Sequence, residues 1–267
     1  MSLILCGVGL KALWANVSYV KPLDAGQQVD IAKKSDIPAE VSSHSKSRAP
    51  EPSTVALFGS GILGMLVSFV RRTYAVTKRA FDLICSLIGF VVISPLMLLT
   101  ALLVKLTSNG PVLYTQTRVG KNGDHFEIYK FRTMRVDAEK ETGPVWAQAN
   151  DSRLTPVGEI LRKTHIDELP QLFNVLKGEM SLIGPRPERP VFVKELKEKI
   201  QGYENRLAIK PGITGLAQVW HRYDETIEDV KKKVRYDLLY IKKMCLWADI
   251  NIALRTVYVV LTGKGAR

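Results

Sequence analysis

Ala80–Val104, AFDLICSLIGFVVISPLMLLTALLV, is an apolar run with a single charge, Asp82, near its start and Ser94-Pro95 at its middle. How this run meets a membrane decides the fold. As one helix it is long enough to cross a hydrocarbon core of ~30 Å. Proline, however, removes a backbone hydrogen bond and kinks a helix. Both flanks are also basic: Arg71, Arg72, Lys78 and Arg79 come before, and Lys105, Arg118 and Lys121 come after. A spanning helix would leave one basic set on the outer side, against the positive-inside bias. A helix-break-helix hairpin turning at Ser94-Pro95 keeps both sets on the cytoplasmic side. Each arm, about ten residues, would reach only ~15 Å. The physics favours this hairpin, with a kinked spanning helix as the alternative.

Upstream, Pro52–Val70 carries no charge, and the basic residues that follow face its end to the cytoplasm. We read 55–77 as a membrane-spanning or interfacial helix. Residues 1–54 form an N-terminal segment whose stretch from 21 reads as a Ser-, Lys- and Pro-containing linker. No basic n-region precedes the apolar start of the chain, which argues against a secretory signal.

Downstream the pattern is that of a soluble domain. Val112–Val119 and Phe126–Phe131 are strand-like and flank Gly120-Lys121-Asn122-Gly123, a hairpin with sound turn chemistry. Thr155-Pro156 supplies a cap and an N1 proline for a helix to about Thr164. Glu225–Lys243 reads as a charged amphipathic helix, and Cys245–Leu261 as an apolar one suited to a core or a membrane surface. The expected fold is α+β, mainly helical, with a re-entrant membrane hairpin packed on a catalytic domain that contains a small β-hairpin.

The net charge is +12. The first 70 residues hold 6 basic and 5 acidic residues, so the rest of the chain carries the excess. Such a surface suits phosphates or anionic headgroups. No nucleic-acid module is present, and a nucleic-acid partner is not expected. Cys6, Cys85 and Cys245 lie far apart without Cys/His spacing, which argues against structural zinc.

His165–Pro187, HIDELPQLFNVLKGEMSLIGPRP, carries the chemistry. Leu169, Leu172, Phe173 and Leu176 have the spacing of one helix face, and Gly178 reads as the stop. Asp167 and Glu168 then fall at the helix start, where unsatisfied N–H groups and the dipole hold a carboxylate ionised. By itself the pair reads more readily as an N-cap aspartate with a helix-dipole glutamate than as a catalyst. Arg186 sits between two prolines on a stiff backbone, suited to bidentate phosphate binding. Lys130 and Arg132 share one strand face and Tyr129 and Phe131 the other, so the cations form a candidate phosphate clamp. Arg162 completes the set of candidate phosphate and nucleotide ligands.

Lys78–Arg267 resembles the bacterial sugar transferase family, monotopic polyprenyl-phosphate phosphoglycosyl transferases of exopolysaccharide and O-antigen synthesis. The resemblance rests on five ordered blocks: KRAFDLICSLIGFVVISPLMLL, GPVLYTQTRVG, YKFRTM, RLTPVGEILRKTHIDELPQLFNVLKGEMSLIGPRP and KPGITGLAQV. It implies that 78–267 is the phosphoglycosyl transferase domain, with 80–104 its re-entrant hairpin. The implied reaction moves sugar-1-phosphate from a UDP-sugar to polyprenyl (undecaprenyl) phosphate with release of UMP. It is the first membrane step of polymer synthesis, on the cytoplasmic face of the bacterial inner membrane. It also implies Mg²⁺, Asp167 as the nucleophile in a phosphosugar–aspartyl intermediate, and Glu168 helping to hold the metal or orient phosphates. The chemistry is coherent, because a carboxylate attacking a diphosphate needs its charge cancelled first. An acidic pair plus substrate phosphates suits Mg²⁺ without a larger cage. The alternatives are a glycosyltransferase releasing UDP and a non-catalytic assembly scaffold. Residues 1–77 depart from the smallest members, and the chain has neither the four-helix membrane region nor the intact cofactor-binding-like domain of the largest. It reads as a possible shortened large form.

Overall fold

The computed structural model describes residues 54–140, 143, 151–221 and 226–262. The expectations for 1–53 lie outside them. The chain divides into two units, Met1–Arg71 and Arg72–Arg267. Helix α1 spans Thr54–Thr107, and the basic stretch between its two apolar runs contains neither Pro nor Gly.

Within the second unit, Arg72–Thr107 is long and apolar enough to cross a membrane. The helical assignment is uninterrupted at Ser94-Pro95, unlike the expected break. Ser94 Oγ donates to the carbonyl of Val91 at 2.8 Å, so a side chain satisfies backbone next to the proline. From Asp82 to Val104 one stripe of α1 is covered by the domain. Asp82, Ser86, Thr100 and Val104 are buried, with Gly89, Ile93 and Met97 half-buried between them. The opposite face exposes Leu87, Val91, Leu98, Leu102 and Leu106. The lone charge of the run is part of the docking: the Asp82 carboxylate accepts from Ser181 Oγ at 2.7 Å and from the Leu182 N–H at 3.3 Å.

The domain is mainly helical with two small sheets. Strands β1 (Leu113–Val119) and β2 (His125–Phe131) form the expected antiparallel hairpin, pairing Leu113 with Phe131 and Val119 with His125. Asn122 and Gly123 supply the positive φ values of its turn. Helix α2 (Pro156–Lys163) starts as the sequence indicates, with Thr155 Oγ1 accepting from the Gly158 N–H at 3.0 Å. A single 3₁₀ turn (Ile166–Glu168) leads through Pro170 to α3 (Gln171–Lys177). Then come β3 (Ser181–Ile183), α4 (Pro190–Lys199), β4 (Gly212–Thr214), α5 (Leu216–Trp220), α6 (Ile227–Lys243) and α7 (Leu246–Thr262). Thr226 and Asp229 form a reciprocal capping box at the start of α6.

Two features are not those expected from the sequence. The buried face of α3 is Gln171, Leu172, Asn174 and Val175, while Phe173 lies 48% exposed. Asn174 is drawn inward because its amide bridges the hairpin, accepting from the Tyr129 N–H (3.1 Å) and donating to the Glu127 carbonyl (2.7 Å). The second feature is the parallel pair β3–β4, too short to show a period. It brings the GPRP and KPGITG blocks together. A Cβ on Gly212 would overlap the Gly184 backbone nitrogen, so both strands need glycine at their closest approach.

Among the described residues, four apolar clusters surround these elements. Val119, Val193, Leu196, Tyr203 and Val234 hold α4 and α6 against β1. Val104, Phe131 and Leu161 pack α1, β2 and α2 together. Ile128, Val175 and Met180 join the hairpin to α3, and Ile183, Leu216, Tyr240 and Ile252 bind β3 to α5–α7.

Candidate active site

Asp167 and Glu168 occupy the 3₁₀ turn between α2 and α3, entered through His165 in the left-handed region at φ 58°. They are not a cap of α3, whose N-cap is Pro170. The two carboxylates have different environments. Glu168 Oε1 accepts from Lys130 Nζ at 2.7 Å and from Arg186 Nη2 at 2.6 Å, and Oε2 lies 3.3 Å from Arg186 Nη1. Asp167 is buried, and among the described residues none donates a hydrogen bond to its carboxylate.

Their protonation follows. Burial pushes the Asp167 carboxyl up, and the Glu168 charge adds to this against the opposing effect of Lys130, Arg162 and Arg186. Burial would also raise Glu168, but Arg186 and Lys130 together outweigh it and hold that carboxyl well below its ordinary range. The expected helix N-terminus is not what acts on Asp167, which lies in the 3₁₀ turn ahead of the α3 N-cap Pro170. A one-turn 3₁₀ segment offers little dipole, and the two cations are spent on Glu168. Lys130 is itself lowered by burial, partly offset by Glu168. Arg186 is raised, chiefly by the Glu168 charge.

Of the cations expected at the site, Lys130 and Arg186 meet at Glu168. Arg162 lines the same cavity with its Nε donating to Thr133 Oγ1 at 3.1 Å. Arg132 lines the cavity too and is anchored at its own place. Its Nη2 donates to the Ser108 carbonyl (2.9 Å) and Oγ (2.7 Å), fastening the hairpin to the chain just beyond α1. Lys130 and Arg132 thus line one cavity, although Arg132 lies one residue past the end of β2.

The Pro-Arg-Pro segment is held more firmly than its prolines alone require. Four successive carbonyls have donors: Pro185 from the Gly212 N–H (2.9 Å), Arg186 from Arg206 Nη2 (2.9 Å), Pro187 from Arg118 Nη1 (3.1 Å), and Glu188 from the Val119 N–H (3.0 Å). Arg206 is buried, with Nε donating to Asp237 Oδ2 at 2.9 Å and Nη1 to the Tyr203 hydroxyl at 2.8 Å. Glu188 is bridged by Lys233 Nζ at 3.0 Å. Burial pushes Glu188 up, but Lys233, Arg206 and Arg118 prevail and bring it to about 2. The contacts made to the segment itself were not apparent from the sequence, because each joins residues separated by 20 or more positions.

The cavity, about 1390 Å³, has Lys130, Arg132, Arg162, Asp167, Glu168 and Arg186 in its polar lining. No cluster of three or more His, Cys, Asp or Glu residues suited to a metal occurs among the described residues. The carboxylate pair with cations beside it can hold a phosphorylated ligand and offers one carboxylate free of hydrogen-bond donors.

Residues 73–263 match the family model described as bacterial sugar transferase. Residues 48–72 match that of a PEP-CTERM protein-sorting motif. The chain is 49% identical over 194 residues to a UDP-N-acetylgalactosamine-undecaprenyl-phosphate N-acetylgalactosaminephosphotransferase of Aeromonas hydrophila, covering 73% of this chain and 46% of that protein. It is 42% identical over 214 residues to a UDP-glucose:undecaprenyl-phosphate glucose-1-phosphate transferase of Klebsiella pneumoniae, covering 79% and 44%. It thus spans less than half the length of these two curated relatives. It is also 43% identical to an exopolysaccharide production protein of Rhizobium leguminosarum bv. phaseoli, covering 71% of this chain and 98% of that protein. With the family model matched over most of its length and the acidic pair, basic strand and Pro-Arg-Pro loop meeting in one cavity, this chain belongs to the bacterial sugar transferase family.

Proposed function

We propose that this chain transfers sugar-1-phosphate from a UDP-sugar to membrane polyprenyl phosphate, releasing UMP, through a phosphosugar–aspartyl intermediate at Asp167. The carrying observation is the contrast within the acidic pair. Glu168 is fixed by Lys130 and Arg186, while Asp167 faces the same cavity without a donor to blunt it. A carboxylate with a raised pKa is the better nucleophile once ionised.

In the first step an Asp167 oxygen bonds to the β-phosphorus as the bond to the bridging oxygen breaks, and UMP leaves with that electron pair. In the second, a phosphate oxygen of the acceptor attacks the same phosphorus and Asp167 is released. Lys130, Arg162 and Arg186 lower the charge barrier to both steps. The donor set fits Mg²⁺ held by Asp167 and Glu168 together with substrate phosphates, since this ion commonly takes one or two carboxylates. When bound, it would neutralise charge on the diphosphate.

The site works at the cytoplasmic face of the inner membrane. Both ends of the apolar segment dock on the same domain. Lys78 Nζ reaches Asp249 at 2.9 Å and Arg79 caps α3 through the Val175 and Leu176 carbonyls, while Val104 packs on Phe131 at the other end. This double attachment supports a re-entrant arrangement in which the exposed leucine face meets lipid.

Mass spectrometry of protein mixed with a panel of UDP-sugars, without acceptor, tests the reading. A phosphosugar adduct on Asp167 with stoichiometric UMP is expected. UDP as the product would identify a sugar-only transferase, and no nucleotide release with any donor would leave a scaffold.

A further inference from the structure

Three cations from separate parts of the chain gather at the C-terminal end of α3. Arg79 comes from the start of the apolar segment of α1, Lys121 from the β1–β2 turn, and Lys210 from the stretch just before β4. Gly178, the stop of α3, leaves room for them. A Cβ there would lie 3.3 Å from Arg79 Nη2 and 3.5 Å from Lys210 Nζ. None of the three lines the cavity at Asp167. We propose that Arg79, Lys121 and Lys210 form a second anion site, outside the catalytic cavity, that takes the headgroup phosphate of an anionic phospholipid. The proposal rests on the membrane placement of α1 given above and not on the sugar transfer.

Three observations carry it. First, the ordinary reason for a cation at this place is already met. A helix ends in unsatisfied carbonyls and attracts positive charge. Arg79 answers this need, donating from Nη1 to the Val175 carbonyl at 2.7 Å and from Nη2 to the Leu176 carbonyl at 3.0 Å.

Second, Lys121 and Lys210 are left over. Among the described residues no hydrogen bond or ion pair engages either ammonium group. The acids nearby are committed elsewhere. Glu179, next to Gly178, accepts from Asn174 at 2.7 Å, and Asp82 accepts from Ser181 Oγ and the Leu182 N–H. Burial lowers the Lys210 pKa, and Arg79 and Lys121 lower it further against the opposing effect of Asp82. Like charges held together in this way are relieved by an anion shared among them.

Third, the cluster lies at the right depth. Ile84 of α1 is 58% exposed and follows Arg79 by five residues, about 7.5 Å along the helix. The headgroup layer on each side of a bilayer is roughly 5–8 Å deep. With Ile84 and the exposed Leu87 in hydrocarbon, Arg79 stands at the level of the phospholipid phosphates.

A phosphate suits this donor set. The guanidinium keeps N–H groups beyond the two spent on α3, and each ammonium has three. One phosphate held between them ties the root of α1 to the hairpin turn and to the approach to β4. Charge alone does not separate a lipid phosphate from a soluble one; the level of the site selects the lipid. Basic side chains at that level favour a headgroup with net negative charge.

The test uses the full-length protein in phosphatidylcholine nanodiscs that contain phosphatidylglycerol with a photoreactive headgroup. Crosslinks should map to the peptides around Lys121, Gly178 and Lys210. Unlabelled phosphatidylglycerol should displace the probe, whereas phosphatidylcholine, whose phosphate is neutralised by its own ammonium, should not. Lys121→Gln and Lys210→Gln should each reduce labelling about fivefold at subsaturating probe, and Lys210→Arg should retain it. Lys231→Gln, which removes an exposed α6 lysine paired with Glu228, should label as wild type. Thermal unfolding of each variant separates loss of the site from loss of the fold, and the exposed Lys121 should be replaceable without change in it. Wild-type labelling in both Gln variants would overturn the proposal. Displacement by inorganic phosphate or UMP as effective as that by phosphatidylglycerol would assign the cluster to soluble phosphates and overturn it as well. Labelling is read without turnover, so a protein that released no UMP would refute the proposed function and leave this result standing.

Discussion

Arg206 donates from Nη2 to the main-chain carbonyl of Arg186 at 2.9 Å, so one buried guanidinium sets the backbone from which another reaches Glu168. Arg206 is itself paired with Asp237, side chains of both being about 2% exposed. Arg206→Met leaves Asp237 buried and unpaired, which should cost about 3 kcal/mol in urea denaturation. The double variant Arg206→Met/Asp237→Leu should recover most of that stability. Its UMP release should stay at least ~10-fold slow, because Arg186 has lost its support. Full recovery of rate with stability would reduce Arg206 to a packing role.

Asp167→Asn separates catalysis from capping. Loss of the nucleophile should lower UMP release by at least ~10³-fold. Thermal unfolding should occur at the same or a higher temperature, since a buried carboxylate without a donor is removed. A helix cap would behave the opposite way, keeping activity and tolerating Asn with little change.

The pH dependence of the first step follows from the raised Asp167 pKa. The reactive carboxylate is lost as pH falls through that raised value, so single-turnover UMP release should fail at a pH above the ordinary aspartate range of about 3.9. In Glu168→Gln the neighbouring negative charge is gone and Lys130 is freed. The midpoint should move to lower pH while the maximal rate falls. A midpoint that moved upward would contradict the division of roles.

Glu188 gives a stability signature of its own. Its folded pKa, about 2, is below that of the unfolded chain. Its contribution is therefore full above the unfolded value near 4.3 and is lost as pH falls towards 2, on the order of 3 kcal/mol. Lys233→Met should lower stability at neutral pH and flatten the stability profile below pH ~5. Urea titrations at several pH values measure both.

The re-entrant arrangement of α1 predicts a labelling pattern. Cysteines placed at Val76 and Leu106, both exposed, should react with an impermeant thiol reagent only from the cytoplasmic side. Labelling of one of them from outside intact cells would instead describe a spanning helix.

Much of this organisation was legible in the sequence because it is local. The Thr155 cap, the Asn122-Gly123 turn, the Gly178 stop and the long apolar stripe each follow from neighbouring residues. The acidic pair and Arg186 were visible as chemistry. Less legible was anything fixed by a distant partner. Asn174 turns inward only because the edge of β2 offers it a carbonyl and an N–H, and this rotates the α3 face expected from periodicity. Arg132 lines the cavity, but its anchoring by Ser108, 24 positions away, could not be read from the strand.

By itself, then, the sequence determined the hairpin, the capped helices, the membrane-seeking segment and the residue types of the site, since propensity, caps and charge act over a few positions. The tertiary structure decided which carboxylate is held and which is left free. Lys130 lies 38 residues before Glu168, and Arg186 lies 18 after it. Only folding brings both to one side chain, so the electrostatic difference between Asp167 and Glu168 exists in three dimensions alone.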